Sequence, residues 1–391
     1  MSALPAAVAA AEGLSLVAWL SVLLARARAW DLRPLAEDEP APLAPPAWPT
    51  VHVLVPAHDE SSTLPDTLPA LLGQDYPGPW RAILVDDRSK DGTGETARRI
   101  AGNDERLTVV AGAALPFGWV GKVWALEQAV EESTRECDAP AYFLLTDADV
   151  RHAPASLRRL VAESEAAGLA LNSRMARLRC VSAPEKLLIP PFLFFFSLLY
   201  PMRRVNDPRS GAAAAAGGCV LVRRIALEQA GGLASIRGEI IDDVNLAKRV
   251  KALGEPIRLS VSRADVVSVR RYGSVAAVWR MVRRTAFDEL RHSWALLAAT
   301  LAALALLFLL PPAAVAGAAL AAGLGASTAW CTGVGLLGLA VWAAATAAFS
   351  RTGSYFGLRR WWSLTLPLAG LLFGGMTLDS AVRGRRHRPT W

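Results

Sequence analysis

The sequence predicts an α/β domain with a mostly parallel sheet and helices on both of its faces, joined to membrane-spanning segments at both ends of the chain. Three observations support this fold class. Short β-rich runs alternate with helical patterns from residue 51 to residue 149, as the strand-helix-strand units of a parallel sheet require. Apolar stretches of bilayer-crossing length flank this region. The 391 residues are 53% hydrophobic, which is more than a wholly soluble chain needs.

The first apolar stretch, residues 6–24, contains Glu12 as its one charged residue, and arginines follow it from Arg26 onward. A cleaved signal peptide would carry its basic residues before the apolar run. Residues 1–25 therefore predict an uncleaved N-terminal anchor whose C-terminal end lies in the cytosol. The Pro- and Ala-rich residues 26–50 predict a semi-rigid linker, because proline fixes φ and removes hydrogen-bond donors.

Cysteine spacing and charge exclude several kinds of site. The four cysteines are scattered without a CxxC pair, so neither a zinc site nor a disulfide framework is indicated, and a reducing cytosol is the simpler setting. The net charge of +7 is compatible with nucleic-acid binding. Many arginines, however, lie beside apolar segments, where anionic lipid headgroups attract them. The sequence therefore predicts a membrane partner and no nucleic acid.

Residues 51–273 form the predicted cytosolic α/β domain. In parallel sheets, ligands bind beyond the carboxyl ends of the strands, and the polar residues of this sequence collect there. The predicted strands are residues 51–56, 81–87, 107–112 and 141–149, and the predicted helices between them are residues 63–72, 94–100 and 123–132.

Two further segments indicate contact with the membrane. Residues 186–202 are apolar and aromatic, but Pro190 and Pro191 interrupt them, so they predict a segment in the interface or along an acceptor groove rather than a straight spanning helix. Residues 274–293 place apolar side chains at helical spacing opposite several arginines. That pattern is typical of a basic amphipathic helix at a bilayer surface.

Residues 294–380 predict C-terminal membrane segments, and the basic residues 381–391 predict a cytosolic tail. The arginines Arg359 and Arg360, which precede the last apolar segment, also favour the cytosol. Both placements cannot hold if that segment crosses the membrane once.

Two arrangements would resolve this conflict. A re-entrant last segment, bent near Pro367 or near Gly374 and Gly375, would return the chain to the same side. A first C-terminal segment split at Pro311 and Pro312 into two short passes would also do so. The sequence alone leaves both open.

Two acidic clusters follow successive predicted strands. A loop ending in Glu60 comes after the first strand, and Asp86 and Asp87 begin a second loop that continues to Asp91. Carboxylates at neighbouring strand ends can hydrogen-bond the base and the ribose of one nucleotide. Ordinary capping of the following helices is an equally available interpretation of each cluster taken alone.

Asp147 and Asp149 follow the apolar run YFLLT. Two carboxylates at i and i+2 can hold one hard cation together with diphosphate oxygens, and Mg²⁺ or Mn²⁺ would neutralise charge on a leaving phosphate. A lone DxD triplet is weak evidence for such a site. Its position directly after a predicted strand strengthens the prediction.

Two other segments carry candidate functional side chains. Lys122 lies near the start of a predicted helix, where backbone N–H groups favour phosphate, although a solvated loop lysine is the alternative. The P-loop spacing GxxxxGK[ST] is absent, so an ATPase is not predicted. Asp242 and Asp243 open another helix. They can complement its dipole, or one of them can act as a general base toward an attacking hydroxyl.

Seven short motifs occur in a fixed order along the chain, and the set is far more specific than any member. They are PAHDE, VDDRSKDGT, GKVWAL, TDAD, GGCVLVRR, GGL and IDDVNLAKRV. Together they resemble glycosyltransferase family 2 over roughly residues 51–284. The flanking membrane segments and the variant GEIIDDVNLAKRV are most similar to hopene-associated glycosyltransferases, with ceramide glucosyltransferases as more distant relatives.

The resemblance implies a GT-A fold, a nucleotide-sugar donor that is UDP-linked in most such enzymes, Mg²⁺ or Mn²⁺, and inversion by a single displacement. Matched motif by motif, it implies that Glu60 and Asp86 contact the nucleoside and that Asp87 shapes the nucleoside pocket. It also implies that Lys122 lies near the phosphates.

The resemblance further implies that Asp147 and Asp149 hold the metal diphosphate, with Asp149 as the closer ligand. Asp243 matches the aspartate of the family's ED pair and would be the catalytic base, whereas this chain has Asp242 in place of the glutamate. The residues implied on the acceptor side are Asp242, Gly217, Gly218 and Gly232.

One motif departs from the family pattern. The QxxRW motif of processive and many lipid-directed relatives is RMVRR here, which keeps the arginine but lacks the glutamine and the tryptophan. The resemblance implies diphosphate binding by Arg283 without tryptophan stacking. This loss, together with few membrane segments, argues against a synthase that threads a polymer through the bilayer.

The sequence thus predicts an inverting glycosyltransferase of the inner membrane whose cytosolic domain transfers one sugar from a nucleotide donor to a lipid, such as a hopanoid or another polyisoprenoid alcohol. The anchored domain and the aromatic residues 192–200 favour the lipid acceptor. Two alternatives stay open. One is a processive polysaccharide synthase, and the other is a non-catalytic membrane scaffold, which would have no need to retain every acidic cluster.

Overall fold

The computed structural model describes residues 3–25, 28–29, 32, 43–135 and 139–384. Arg26, most of the predicted linker 26–50, Cys137 and the basic tail from residue 385 onward lie outside the described residues. The described chain forms two compact units. The sheet unit comprises described residues within Arg33–Arg179 and Met202–Arg271, and the helical unit comprises those within Met1–Leu32, Cys180–Pro201 and Tyr272–Arg388.

Strands occur in the sheet unit, and helices occur in both units. The strands are β1 (Val51–Ala57), β2 (Trp80–Asp86), β3 (Leu107–Ala111), β4 (Tyr142–Leu145), β5 (Val150–His152), β6 (Leu171–Met175), β7 (Val220–Arg223), β8 (Ile257–Val261) and β9 (Val266–Ser268). The helices are α1 (Ala3–Leu24), α2 (Leu64–Leu72), α3 (Thr93–Ala101), α4 (Gly121–Ser133), α5 (Ser156–Ala167), α6 (Ala183–Leu199), α7 (Met202–Val205), α8 (Arg224–Gln229), α9 (Asp242–Ala252), α10 (Val275–Glu289), α11 (Trp294–Leu304), α12 (Leu310–Gly323), α13 (Thr328–Tyr355) and α14 (Leu366–Gly384).

The main sheet has the strand order β3-β2-β1-β4-β7-β6-β8. β1 pairs in parallel with β2 and β4, β2 pairs in parallel with β3, and β6 pairs in parallel with β8. β7 is antiparallel to both of its neighbours, β4 and β6. β5 and β9 form a separate antiparallel pair. The predicted mostly parallel sheet is confirmed.

Burial explains why the centre of the sheet lies at β1 and β4. Every residue of these two strands is buried, as expected for strands covered on both faces, which lack the alternation of a half-exposed strand. Leu68 of α2 and Leu160 of α5 pack in the same core as the side chains of β1, β2 and β4. Because this core fixes β1, β2 and β4 side by side, their carboxyl ends share one edge of the sheet.

The helical unit contains the runs that suit a lipid environment. Within the described residues, four helical runs are long and apolar enough to cross a membrane: Ala6–Leu24, Trp294–Gly323, Thr328–Tyr355 and Arg360–Arg383. No charged residue occurs from residue 294 to residue 350, and a helix satisfies its own backbone hydrogen bonds in hydrocarbon. Candidate membrane helices are therefore present at both ends of the chain, as predicted.

α6 corrects the predicted interruption at the double proline. The helix continues through Pro190 and Pro191, although each proline removes one backbone donor. A complete capping box at its start, formed by Ser182 and Glu185, satisfies backbone donors of the first turn. The segment is a single helix and not a broken run.

Aromatic packing accounts for the continuity of α6 and for its place in the helical unit. Phe194 is fully buried, stacks with Trp19 and meets Phe349 edge to face. Buried aromatic pairs of this kind stabilise by their area and their geometry, which offsets the hydrogen bonds lost at the prolines. The predicted domain 51–273 differs from the sheet unit here, because residues Cys180–Pro201 pack with the helical unit.

α12 and α13 form an antiparallel hairpin. Gly335 of α13 lies against Ala318, and Gly338 lies against Pro311, where a Cβ atom would be 2.9 Å from the proline carbonyl oxygen. As the chain advances along α13, its residues contact positions progressively closer to the start of α12. α13 therefore ends toward the end of the helical unit at which α11 begins.

α14 also ends toward the start of α11. Gly370 lies against Phe308, and a Cβ atom there would be 2.9 Å from the Cβ atom of the phenylalanine. Further along, Ala381 packs with Leu297. α13 and α14 therefore end on the same side of this unit, as a re-entrant last apolar segment would require.

The continuity of the helices bears on both arrangements that the sequence leaves open. The chain turns in a 3₁₀-helix at Arg360–Thr365, just before Pro367, and α14 then continues without a break through Gly374 and Gly375. The first C-terminal run is not split, since a π-helical turn at Ala305–Leu309 joins α11 to α12. A π turn accommodates the missing donors near a proline pair without ending the helix.

A cysteine-accessibility experiment tests the re-entrant segment. In a variant without the native cysteines, we expect an impermeant maleimide to label Arg359→Cys and Arg383→Cys from the same side of the membrane. Ser327→Cys, in the connection between α12 and α13, should react only from the opposite side. Labelling of Arg359→Cys and Arg383→Cys from opposite sides would contradict this arrangement.

Candidate active site

Polar side chains converge where β1, β2 and β4 end and β7 begins. The first three strands are parallel, and β7 runs the other way, so that Val220 at its start pairs with Leu145 at the end of β4. Residues after β4 and residues before β7 therefore meet at one edge of the sheet. This is the edge at which open α/β sheets bind ligands.

Lys122, in the first turn of α4, lies at the centre of this edge. Its Nζ atom is 2.9 Å from Asp147 Oδ1 and 3.3 Å from Asp242 Oδ2. Burial opposes the charged ammonium, but Asp147, Asp242 and Asp243 outweigh this effect and raise the pKa of Lys122 above its usual range. These carboxylates favour the charged form of Lys122, which is ion-paired in the first turn of α4 and is not a solvated loop lysine.

Asp243 lies beside Lys122 and is held by backbone donors. Its Oδ2 accepts a hydrogen bond of 2.6 Å from the N–H of Gly217, and its Oδ1 accepts one of 2.7 Å from the N–H of Val244. Burial, and then the charge of Asp242, raise the pKa of Asp243 to about 7, although Lys122 and the two N–H groups act against this rise. A carboxyl group with such a pKa can exchange a proton near neutral pH.

Gly217 leaves room for Lys122 and Asp243 to approach the backbone. A Cβ atom at this position would lie 2.8 Å from Lys122 Nζ and 3.4 Å from Asp243 Oδ2. The next residue, Gly218, accepts a hydrogen bond through its carbonyl oxygen from Thr146 Oγ1 at 2.9 Å. The two glycines thus connect the start of β7 to the end of β4. Their predicted place on the acceptor side stays a prediction.

Asp149 and Glu60 form a second group, joined by Arg270. Asp149 Oδ2 accepts from Ser268 Oγ at 2.9 Å and from Arg270 Nε at 3.0 Å. The guanidinium of Arg270 also donates to Glu60 Oε1, and Thr63 Oγ1 donates to Glu60 Oε2 at 2.6 Å. Burial raises the pKa of Glu60 despite the nearby charge of Arg270. The two carboxylates therefore share one cationic side chain.

Arg270 is a site residue that the sequence did not predict. It follows β9, and the pairing of Ser268 with Val150 of β5 places it beside Asp149. More than a hundred residues separate these two strands in the chain, so no local motif predicts the contact between Arg270 and Asp149. The available signal was weak, since it consisted of a short β-rich run ending in basic residues close to the predicted amphipathic helix.

Asp86 binds backbone N–H groups of the loop after β2 and of the first turn of α3, as the capping interpretation expects. Its Oδ1 accepts from the N–H of Ser89 and its Oδ2 from the N–H of Gly94 in α3, both at 3.1 Å. Asp87 is fully buried, and Arg88 Nε lies 3.0 Å from its Oδ1. Asp91 likewise bonds the N–H of Thr93. The nucleoside contact assigned to Asp86 and the pocket role of Asp87 stay predictions.

Two predicted site residues lie outside these groups. Gly232 has φ of +65° and precedes a 3₁₀-helix at Leu233–Ile236, where its N–H donates to Leu227 as part of the turn after α8. This left-handed conformation favours glycine. Arg283 belongs to the helical unit, where its guanidinium lies 3.6 Å from Asp379. Their assigned roles, on the acceptor side and on the diphosphate, stay predictions.

Asp147 and Asp149 fit a divalent cation that arrives with a nucleotide. Within the described residues, no three His, Cys, Asp or Glu side chains form a group that could hold a metal by themselves. Mg²⁺ in nucleotide sites, however, needs only one or two carboxylates besides phosphate oxygens and water. The two aspartates are adjacent on one loop, and the ammonium of Lys122 and the guanidinium of Arg270 already neutralise them.

Part of the chain matches a known family. Residues 52–231 match the model of glycosyl transferase family 2. The matched segment contains Glu60, Lys122 and Asp149, and it ends before Asp243. The match supports a family 2 glycosyltransferase domain in this part of the chain.

Two similar proteins illustrate the relationship. An N-acetylglucosaminyltransferase of Mesorhizobium japonicum is 30% identical over 184 residues, which are 46% of this chain and 41% of that protein. The chain thus spans about two fifths of the length of this curated relative. The mannosyltransferase PcManGT from Pyrobaculum calidifontis, solved with GDP-Man and Mn2+, has a TM-score of 0.56 and 21% identity, covering 97% of this chain and 98% of its own. This likeness confirms the GT-A fold.

Removal of the shared cation tests the second group. In Arg270→Ala, two nearly buried carboxylates would face each other, so we expect a loss of about 1–2 kcal/mol of stability above neutral pH. The loss should shrink in acid, because the already raised pKa of Glu60 would rise further and protonation would relieve the repulsion. Thermal unfolding in detergent at several pH values measures this.

The neighbouring Arg271→Ala is the matched control, since Arg271 is exposed. It should unfold like the wild type at every pH. A destabilisation of Arg270→Ala that does not change with pH would contradict the shared-cation interpretation.

Proposed function

We propose that this chain is a membrane-bound inverting glycosyltransferase that transfers a single sugar from a nucleoside diphosphate sugar, UDP-linked by preference, to a membrane lipid. The observation that carries the proposal is the position of Lys122, which contacts Asp147 after β4 and Asp242 at the start of α9. A cation between the aspartates that follow β4 and the aspartate pair that contains the candidate base can neutralise a diphosphate leaving group.

Lys122 would bind the donor diphosphate. Its ammonium is held near a helix N-terminus, where backbone N–H groups also favour phosphate. Phosphate oxygens can replace Asp147 as its partner without leaving the charge unpaired, because Asp242 remains in contact on the other side. Lys122 would then neutralise charge on the departing nucleoside diphosphate.

Asp243 would act as the catalytic base. The hydrogen bonds from Gly217 and Val244 fix the carboxylate, and lone pairs remain on both oxygens to accept the proton of an acceptor hydroxyl. The hydroxyl oxygen would attack the anomeric carbon opposite the diphosphate, which inverts that carbon in one displacement. Asp242 stays paired with Lys122, so the two adjacent acids have different roles.

A divalent cation fits this reaction. Asp147 and Asp149 would be the residues that hold Mg²⁺ or Mn²⁺, which would supply Lewis-acid neutralisation of the diphosphate leaving group. Before the donor enters, Arg270 occupies the Oδ2 side of Asp149. Arg270 would have to leave Asp149 when the donor binds, while Glu60 stays in place for the nucleoside.

The helical unit supports a lipid acceptor and a place in the inner membrane. Its four candidate spans give the enzyme access to acceptors dissolved in the bilayer. The basic residues Arg351, Arg359 and Arg360 favour the cytosolic side, where nucleotide sugars are available to the sheet unit. Within the resemblance stated above, a hopanoid or another polyisoprenoid alcohol is the proposed class of acceptor.

Asp243→Asn should abolish transfer but leave nucleotide binding nearly unchanged, because the amide cannot take the proton although it keeps the shape of the side chain. The purified protein in lipid nanodiscs, incubated with radiolabelled nucleotide sugar, should place label in an organic extract for the wild type only. Calorimetric titration with the free nucleotide is the control. Full transfer by Asp243→Asn would remove this residue from the mechanism.

The same extraction assay separates the proposal from its alternatives. One labelled lipid whose mass is larger by one sugar supports single transfer. Labelled products of increasing length would indicate a processive synthase. A protein that neither binds nucleotide nor consumes any nucleotide sugar would be a membrane scaffold.

The pH dependence of kcat/KM tests the state of the base in the free enzyme. The pKa of Asp243 is raised to about 7, and only the deprotonated carboxylate can accept a proton. We therefore expect kcat/KM to fall as the pH drops through about 7 and to level off above it. A profile that stays flat down to the ordinary range of an aspartate would contradict this role.

A further inference from the structure

A second pocket occurs in the helical unit, on the side chains of α10 and α14. It is lined by Trp279, Arg280 and Arg283 of α10 and by Asp379 and Arg383 of α14. All of these residues belong to the same compact unit. The cleft around Lys122 is formed entirely by residues of the sheet unit, so the proposed transfer reaction does not account for this pocket.

The pocket has an excess of positive charge that is held in place. Asp379 Oδ2 accepts from Trp279 Nε1 at 2.8 Å, and Arg383 Nε lies 2.8 Å from Asp379 Oδ1. The guanidinium of Arg283 lies 3.6 Å from the same carboxylate. One carboxylate thus orients two guanidinium groups but neutralises the charge of only one of them.

Arg280 adds a third guanidinium. It is exposed, and no ion pair of Arg280 is present among the described residues. The first turn of α10 also lines the pocket with Val275 and Ala276, and its capping residue Ser274 accepts from the N–H of Ala277. The positive end of the helix dipole therefore adds to the guanidinium charges. The chemistry of the pocket favours an anion with several oxygen acceptors, as in a phosphate group.

The position of the pocket points to a lipid as the source of that phosphate. Arg383 is the last residue of the apolar run Arg360–Arg383, and the run Trp294–Gly323 begins shortly after α10 ends. On α14, the side chains adjacent to the pocket residues are apolar, with Leu378 44% exposed and Val382 56% exposed. A soluble phosphate would make no contact with these exposed apolar side chains, whereas the hydrocarbon chain of a lipid would bury them.

We propose that this pocket binds the phosphate of a membrane lipid, with the guanidinium groups of Arg280, Arg283 and Arg383 on its oxygens and its hydrocarbon chain along Leu378 and Val382. The lipid phosphate can come from a bilayer phospholipid or from a polyprenyl monophosphate, since the phosphodiester of the first and the phosphate monoester of the second both offer anionic oxygen acceptors to guanidinium groups. Asp379 would keep the arginines pointing at that group in the absence of lipid.

Native mass spectrometry of the full chain in detergent tests the site. The wild type should retain phosphatidylglycerol or polyprenyl monophosphate more tightly than diacylglycerol, which lacks the phosphate. Arg280→Ala combined with Arg383→Ala should weaken retention by at least about tenfold, because an arginine near anionic lipid contributes a factor of about five. Arg284→Ala is the matched control, since Arg284 is exposed on α10 and does not line the pocket.

A second variant keeps the proposal testable if the double variant fails to fold. Arg280→Gln breaks no ion pair of the described structure and should weaken lipid retention about fivefold with an unchanged unfolding temperature. Tighter binding of polyprenyl monophosphate than of phosphatidylglycerol would identify a phosphate monoester lipid as the source, and equal binding would identify bilayer headgroups. Either result supports the site.

Three results would overturn the proposal. They are unchanged retention in both variants, an equal loss in Arg284→Ala, and displacement of the lipid by inorganic phosphate at a similar concentration. Calorimetric nucleotide binding by the Arg280 and Arg383 variants should match the wild type. Failure of the lipid site is thereby distinguishable from failure of the proposed transfer reaction.

Discussion

The ion pairs of Lys122 are the constraint on which the candidate active site depends. One ammonium group contacts Asp147 and Asp242 and lies close to Asp243. Without it, three carboxylates would be gathered at one sheet edge with no cation among them, and such a cluster is unstable when buried. The glycine at position 217 follows from the same contacts, because any side chain there would meet the ammonium.

The loop after β4 contributes one aspartate to each of two ion-paired groups in the site. Asp147 faces Lys122, and Asp149 faces Arg270, so each carboxylate has a cationic partner before any ligand enters. Phosphate oxygens of a bound diphosphate could take over Lys122, and Asp147 and Asp149 would then be the residues that hold a divalent cation. Asp242 and Glu60 would remain as partners of Lys122 and Arg270.

Much of the sheet unit could be predicted, because its signals are local. Apolar runs at regular spacing located β1 and β4, and acidic residues after them marked the functional edge. Arg270 could not be found, since only the pairing of β5 with β9 brings it to Asp149. The continuity of α6 was also missed, because aromatic packing within the helical unit overrides the local effect of Pro190 and Pro191. Long-range contacts of these kinds leave no periodic pattern in a sequence.

The central claim is that Lys122 binds the diphosphate of a nucleotide donor, and comparison of two ligands tests it most directly. Calorimetric titration with Mn²⁺ present should show that Lys122→Gln binds the nucleoside diphosphate at least about tenfold more weakly than the wild type, as expected for loss of a charge-assisted contact. Affinity for the corresponding nucleoside, which lacks phosphate, should be unchanged. Equal affinity of both proteins for the diphosphate would contradict the account.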